Sequence, residues 1–132
     1  MTLRNKTIFI TGATAGFGLE CARLFAAQGA RVIATGRRQE RLDAMKKELG
    51  GRLHAVALDV RDRTAIEKAV AALPADFASV DVLINNAGLA LGLESYDKLD
   101  PDDIDQMVET NINGVLHCTR ALLPGMVARD SG

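Results

Sequence analysis

Four short apolar runs alternate along the chain with longer stretches in which apolar residues recur every three or four positions. Thr7 to Thr11, Arg31 to Thr35, Leu53 to Leu58 and Val80 to Ile84 are strand-length and rich in Ile, Val and Leu, which suits strands covered on both faces. Phe17 to Gln28, Gln39 to Leu49 and Thr64 to Leu73 carry the helical spacing. A last helix is announced by Asp100 as N-cap, Pro101 at the first helical position, and Asp102 and Asp103 in the first turn, where carboxylates favour the dipole. It is expected to end or kink near Pro124-Gly125, because proline removes a backbone donor. Strict alternation of strand and helix predicts an α/β unit: a parallel sheet with helices on both faces and ligands at the carboxyl ends of the strands.

Composition narrows this picture without changing it. The 132 residues are 48% hydrophobic and 25% charged, enough to bury a core, and no linker or repeat divides them, so one domain covering residues 1–132 is expected. Sixteen Lys and Arg against 17 Asp and Glu give a net charge of -1, which offers no broad footprint for nucleic acid or anionic lipid. Neither a membrane span nor a signal peptide is indicated, and a cytoplasmic location is expected. Cys21 and Cys118 lie far apart without metal-ligand spacing and are expected to be reduced core residues; His54 and His117 are expected to be structural. No metal site is expected.

Candidate chemistry lies in the loops after the strands. Thr11-Gly12-Ala13-Thr14-Ala15-Gly16-Phe17-Gly18 is a G-x-x-x-G-x-G turn between the first strand and first helix, which lets backbone N–H groups approach a diphosphate. A nucleotide-hydrolysing phosphate loop needs Gly-Lys-Ser or Gly-Lys-Thr at its end, and Phe17-Gly18-Leu19 stands there instead. The second strand ends in Gly36-Arg37-Arg38, where an NAD-selective site would place a carboxylate on the ribose. Two guanidinium groups there fit a 2′-phosphate, and a solvated basic face with Glu40 and Arg41 is the alternative. Asp59-Val60 ends the third strand. Asp59 is a candidate for the adenine amino group or for a cap of the following helix, a task Asp62 can also perform. After the fourth strand, Asn85 and Asn86 can lock neighbouring strand ends, and Ala87-Gly88 leave room for a flat ring or ribose. Thr110-Asn111-Ile112-Asn113-Gly114 interrupts a good helix with poor helix formers, and Asn111 is the candidate there to order water or a proton-relay group.

Taken together, Thr11-Gly12 through Gly18, Asp59, Asn85-Asn86-Ala87-Gly88 and Asn111 resemble the classical short-chain dehydrogenase/reductase family in order and spacing. More narrowly, Thr11 through Gly18, Ala34 through Leu42 and Asn86 through Gly92 are similar to the NADP-dependent 3-hydroxy acid (serine) dehydrogenases of that family. The resemblance implies a Rossmann-type sheet of four strands in the order 3-2-1-4, half of the family's full domain. It further implies hydride transfer between NADP(H) and a small hydroxy acid, alcohol or carbonyl compound. The cofactor would be held by Thr11, Gly12, Ala13, Thr14, Gly16, Phe17, Gly18, Arg37, Arg38, Asp59, Val60, Asn86, Ala87 and Gly88, with Asn111 as the catalytic member.

Family members also use a Ser and a Tyr-x-x-x-Lys pair for proton transfer. The single tyrosine, Tyr96, is followed four residues on by Asp100, and Ser131 falls too early to match that Ser. Residues 1–132 are therefore expected to be an N-terminal half, inactive alone, with a substrate only when the other half is present. The alternative is a natural or engineered half-Rossmann scaffold that holds nucleotide and catalyses nothing. A methyltransferase is disfavoured, because Gly36-Arg37 offers no acid to ribose hydroxyls. A homo-oligomer formed through the fourth strand or last helix is expected, since both would leave apolar surface or an open edge.

Overall fold

The computed structural model describes residues 2–132. Strands β1 (Thr7–Ile10), β2 (Arg31–Gly36), β3 (Leu53–Ala57) and β4 (Val82–Ile84) form one parallel sheet in the order β3-β2-β1-β4. Between them run helices α1 (Gly16–Ala27), α2 (Gln39–Leu49) and α3 (Arg63–Ala71); α4 (Pro101–Val108) and α5 (Gly114–Ala128) follow β4.

Both faces of the sheet are buried, and the two-residue period of a strand divides them. Ile8, Ile10, Val32 and Ala34 pack with Ala22 and Ala26 of α1 and Leu42 and Met45 of α2. Phe9 and Ile33, one residue out of phase, pack with Ile66 of α3 and Cys118 and Leu122 of α5. The side chains of residues 7–10 in β1 and 32–35 in β2 are all at most 1% exposed, which places the core along those two central strands.

Three boundaries depart from the sequence expectation by two residues or more, the others by at most one. β4 starts at Val82 rather than Val80, because the Asp81 carboxylate is turned into the sheet end. Its Oδ2 accepts the Thr7 backbone N–H at 2.8 Å, and its Oδ1 accepts from the Lys6 ammonium at 3.1 Å. α3 ends at Ala71, short of Leu73, since the residue before Pro74 is kept from helical geometry. The last helix does not end at Pro124-Gly125. Pro124 lies inside α5, which runs on to Ala128. Pro124 and Arg120, the residue whose carbonyl loses its helical donor, are both exposed, while Leu122 before the proline and Met126 after it pack on the core and hold the helix across the break.

The interruption comes earlier. Residues Glu109–Asn113 form a π-helical turn between α4 and α5, on the run of poor helix formers singled out in the sequence. Asn111 is drawn out of the helix there. Its Nδ2 donates to the Leu89 carbonyl at 2.8 Å, and its Oδ1 accepts the Leu89 N–H at 2.9 Å. Gly114 closes the turn against Val60, where a Cβ would stand 2.7 Å from a Val60 methyl. The π-turn thus fastens both the loop after β4 and the end of β3.

Candidate functional site

Beyond the carboxyl ends of the strands the loops enclose a cavity of about 640 Å³. The β1–α1 loop contributes Gly12, Thr14, Ala15, Gly16 and Phe17; the end of β2 contributes Gly36, Arg37 and Arg38. Leu58, Asp59 and Val60 line it from β3, Asn86 to Leu89 from β4, and Thr110 from the π-turn.

The frame of the site is a clamp between the ends of β1 and β4. Thr11, 1% exposed, accepts the Asn86 and Ala87 backbone N–H groups on Oγ1 at 3.0 and 2.9 Å and donates to the Ile84 carbonyl at 3.4 Å. Asn86 returns the contact, its Nδ2 donating to the Thr11 and Gly12 carbonyls at 3.1 and 3.0 Å. Gly12 has φ +63°, and a Cβ on it would lie 2.8 Å from the Ala87 Cα. Gly18 packs more tightly still, with a hypothetical Cβ 2.4 Å from the Gly12 carbonyl oxygen. Glycine is needed at both positions for steric reasons.

Four residues expected at the site stand back from the cavity. Thr11, Ala13 and Gly18 lie in its wall rather than on its surface, and the Ala13 N–H is already bonded to the Thr35 carbonyl at 2.8 Å. Asn111 holds Leu89, as described, and does not line the cavity with its side chain. Gly12, Thr14, Gly16, Phe17, Arg37, Arg38, Asp59, Val60, Asn86, Ala87 and Gly88 do line it. Of the paired amides, only Asn86 locks the strand ends; Asn85 reaches Thr119 of α5 instead, at 3.3 Å.

The helices facing the cavity have unsatisfied N-termini. The N-cap of α1 is Ala15 and that of α2 is Arg38, and neither accepts a side-chain bond from the first turn. Elsewhere the capping is conventional: Asp62 accepts the Ala65 N–H at 2.9 Å at α3, and Asp100 accepts the Asp102 N–H at 2.9 Å at α4. The free amides of α1 therefore present partial positive charge to the cavity.

Cations gather at the β2 end. Arg38 Nη2 donates to Thr14 Oγ1 at 3.3 Å, and Arg41 Nη1 donates to the Thr14 carbonyl at 3.4 Å. Asp59 is held below the usual carboxylate range chiefly by its hydrogen bonds from the Arg61 guanidinium, with the charge of Arg37 adding to the effect. Capping of α3 falls to Asp62, which leaves Asp59 in the cavity wall.

Sequence reasoning missed Ala15, Gly36, Leu58, Leu89 and Thr110 as lining residues, and Arg41 as a neighbour of the cationic end. Arg41 had a signal, lying three and four residues after Arg38 and Arg37 on a helix. Leu58 and Thr110 had only adjacency to Asp59 and Asn111. Among the described residues, no group of His, Cys, Asp and Glu is placed to hold a metal ion, and no helix is long and apolar enough to cross a membrane.

A parallel sheet in this order, a glycine turn opening on an uncapped helix, and a cavity over the strand ends define a Rossmann-type nucleotide fold. Residues 6–132 match the family model described as short chain dehydrogenase, and the chain belongs to that family. It is similar to the NADP-dependent 3-hydroxy acid dehydrogenase of Escherichia coli (strain K12), with 54% identity over 125 residues, 95% of this chain and 50% of that protein. Serine 3-dehydrogenase of Agrobacterium fabrum is 51% identical over 123 residues, 93% of this chain and 49% of that protein. Among solved structures, the closed form of a serine dehydrogenase complexed with NADP+ superposes with a TM-score of 0.93 at 54% identity, covering 96% of this chain and 51% of that one. The chain spans about half the length of the curated relatives it matches.

Proposed function

We propose that the cavity binds NADP(H) and that these residues form the cofactor-holding portion of a dehydrogenase acting on a small hydroxy acid or on an alcohol or carbonyl compound. The observation that carries this reading is the pairing of an uncapped α1 N-terminus with Arg37 and Arg38 on one cavity wall. The amides of α1 and its glycine turn suit a diphosphate, and the arginines suit a 2′-phosphate. The fit is supported by Gly16, where a Cβ would meet nothing within 4 Å, so the loop leaves open space on its cavity side. Asp59 and Val60 would take the adenine, and Asn86, Ala87 and Gly88 would flank a ribose or ring. Thr11, Ala13 and Gly18 would support the cofactor from behind by fixing the loop.

When bound, the nicotinamide supplies or accepts the hydride. Asn111 spends its side chain on Leu89, which leaves the irregular backbone of the π-turn as its means of ordering water. Proton exchange requires groups these residues do not contribute: Tyr96, 79% exposed in the turn Tyr96–Lys98, is not part of the cavity. Residues 1–132 alone are therefore expected to bind nucleotide without turnover, as a non-catalytic scaffold also would. Adding NADPH with a 3-keto acid, or NADP+ with a 3-hydroxy acid, and following nicotinamide absorbance separates the possibilities. Turnover by this chain would overturn the inactive assignment.

Calorimetric titration tests the cofactor. Arg37→Ala with Arg38→Ala is expected to weaken NADP(H) by about tenfold to a hundredfold, as lost charge-assisted bonds would, and scarcely to affect NAD(H). Equal losses for both refute the 2′-phosphate assignment. Among the described residues no strand pairs with the outer edge of β4, and Leu116, Leu123 and Val127 of α5 are exposed, which supports self-association through β4 or α5. A monomer at high protein concentration in sedimentation would refute it. We also assign the protein to the cytoplasm, supported by its two free cysteines; recovery in a periplasmic fraction would refute that.

A further inference from the structure

Asp59 lies in the walls of two concavities. One is the large cavity over the strand ends; the other is a shallow depression that Asp59 shares with Arg61, Asp62, Arg63 and Thr64. Arg61 lies only in the second, yet among the described residues it makes every hydrogen bond to the Asp59 carboxylate. Its backbone N–H donates to Oδ1 at 3.0 Å, its Nε–H is shared between Oδ1 and Oδ2 at 3.1 Å each, and its Nη2 donates to Oδ2 at 2.7 Å. An ionised carboxylate offers about four acceptor positions, so three N–H groups leave room for one further donor.

The geometry points to Arg61 as a positioning residue for base recognition: it fixes the Asp59 carboxylate so that its free acceptor position meets the exocyclic amino group of a 6-aminopurine in the cavity. This rests on the nucleotide reading above and deepens it. A carboxylate on two rotatable bonds has to be immobilised when it binds a ligand, and the Arg61 fork completes that ordering beforehand. The surrounding charges act in the same direction. Behind the Arg61 hydrogen bonds, the positive charge of Arg37 at the end of β2 also favours the ionised Asp59 carboxylate, and the negative charge of Glu109 in the π-turn adds to that of Asp59 in favouring the charged Arg61 guanidinium.

The test compares NADP+ with its hypoxanthine analogue, in which a carbonyl oxygen takes the place of the exocyclic amino group, so the donor that the Asp59 carboxylate would accept from is gone. Binding of both to the purified chain is measured by calorimetry, and the Asp59 carboxyl is titrated by NMR. Arg61→Met is expected to weaken NADP+ by about threefold to tenfold, the loss of one pre-ordered side chain, and to leave the analogue within about twofold. The Asp59 titration should move upward, and Arg61→Lys should recover part of the loss. Retained analogue binding shows that the variant is folded. In an Asp59→Asn background, Arg61→Met should have no further effect on NADP+. Equal weakening of both nucleotides, or no weakening of NADP+, overturns the positioning role. A wild-type chain that binds neither nucleotide overturns the cofactor reading itself, and this inference with it.

Discussion

The hydroxyl of Thr11 is saturated, and its removal should loosen the site from behind. It accepts two backbone N–H groups and donates to one carbonyl, which is the full capacity of a hydroxyl. Thr11→Val keeps the shape of the side chain and deletes these bonds. The Ala87 N–H then loses its acceptor among the described residues, whereas the Asn86 N–H retains the Ile84 carbonyl at 3.1 Å. An orphaned buried donor costs about 1 to 3 kcal/mol; Asn86 and Ala87 are half-buried beside the cavity, so one full orphan with one partial orphan gives about 1 to 2 kcal/mol. That is a substantial share of the roughly 7 to 20 kcal/mol typical for a domain of this length. It corresponds to a fall of about 1 M in the urea midpoint. Thr11→Ser keeps the hydroxyl and loses one buried methyl, for about 1 kcal/mol. Amide exchange separates the two variants. Ala87 should lose protection in Thr11→Val and keep it in Thr11→Ser. A valine variant as stable as the wild type, with Ala87 still protected, would refute the clamp.

Three further outcomes are expected. Gly18→Ala places a methyl 2.4 Å from the Gly12 carbonyl oxygen and 2.5 Å from Asn86 Nδ2, so the loop must shift; a stability loss of about 1 to 3 kcal/mol in urea is expected, and none would contradict the packing. At Asp81, burial alone raises the carboxyl, but the Thr7 N–H and the Lys6 ammonium outweigh it and bring it below its ordinary value. Its stabilisation is thus complete above the unfolded carboxylate value of about 4 and lost as pH falls through the lower folded value. Asp81→Asn should flatten that acid limb of the pH–stability curve, and an unchanged limb would count against the assignment. Cys118 is fully buried, which pushes its thiol up to about 11, whereas Cys21 is half-buried. A thiol reagent at neutral pH should label Cys21 first and reach Cys118 only on unfolding.

Most of the fold was legible because strands buried on both faces and helices with one apolar stripe leave different periods in a sequence. The runs around Phe9, Ile33 and Leu53, and the spacing from Gln39 to Leu49, fell where the structure has β1, β2, β3 and α2. The glycine turn, Arg37-Arg38, Asp59 and Asn86-Ala87-Gly88 were visible for a related reason: each follows directly on a strand, where a parallel sheet collects its loops. Pro124 misled because a local rule about backbone donors says nothing about which side of a helix faces water.

The residues alone determined the order of elements, the sheet type, and which loops meet at one end. These depend on patterns only a few positions long. Only the folded chain decided which residues face the cavity and which hold others in place, because that depends on partners about 75 positions apart, as with Thr11 and Asn86. The side chains of Thr11 and Asn111, both singled out for the site, hold backbone of the loop after β4, and Arg61, which carried no signal, grips Asp59. A side chain's bonding capacity is fixed by its type, but what consumes that capacity is settled only when distant segments pack.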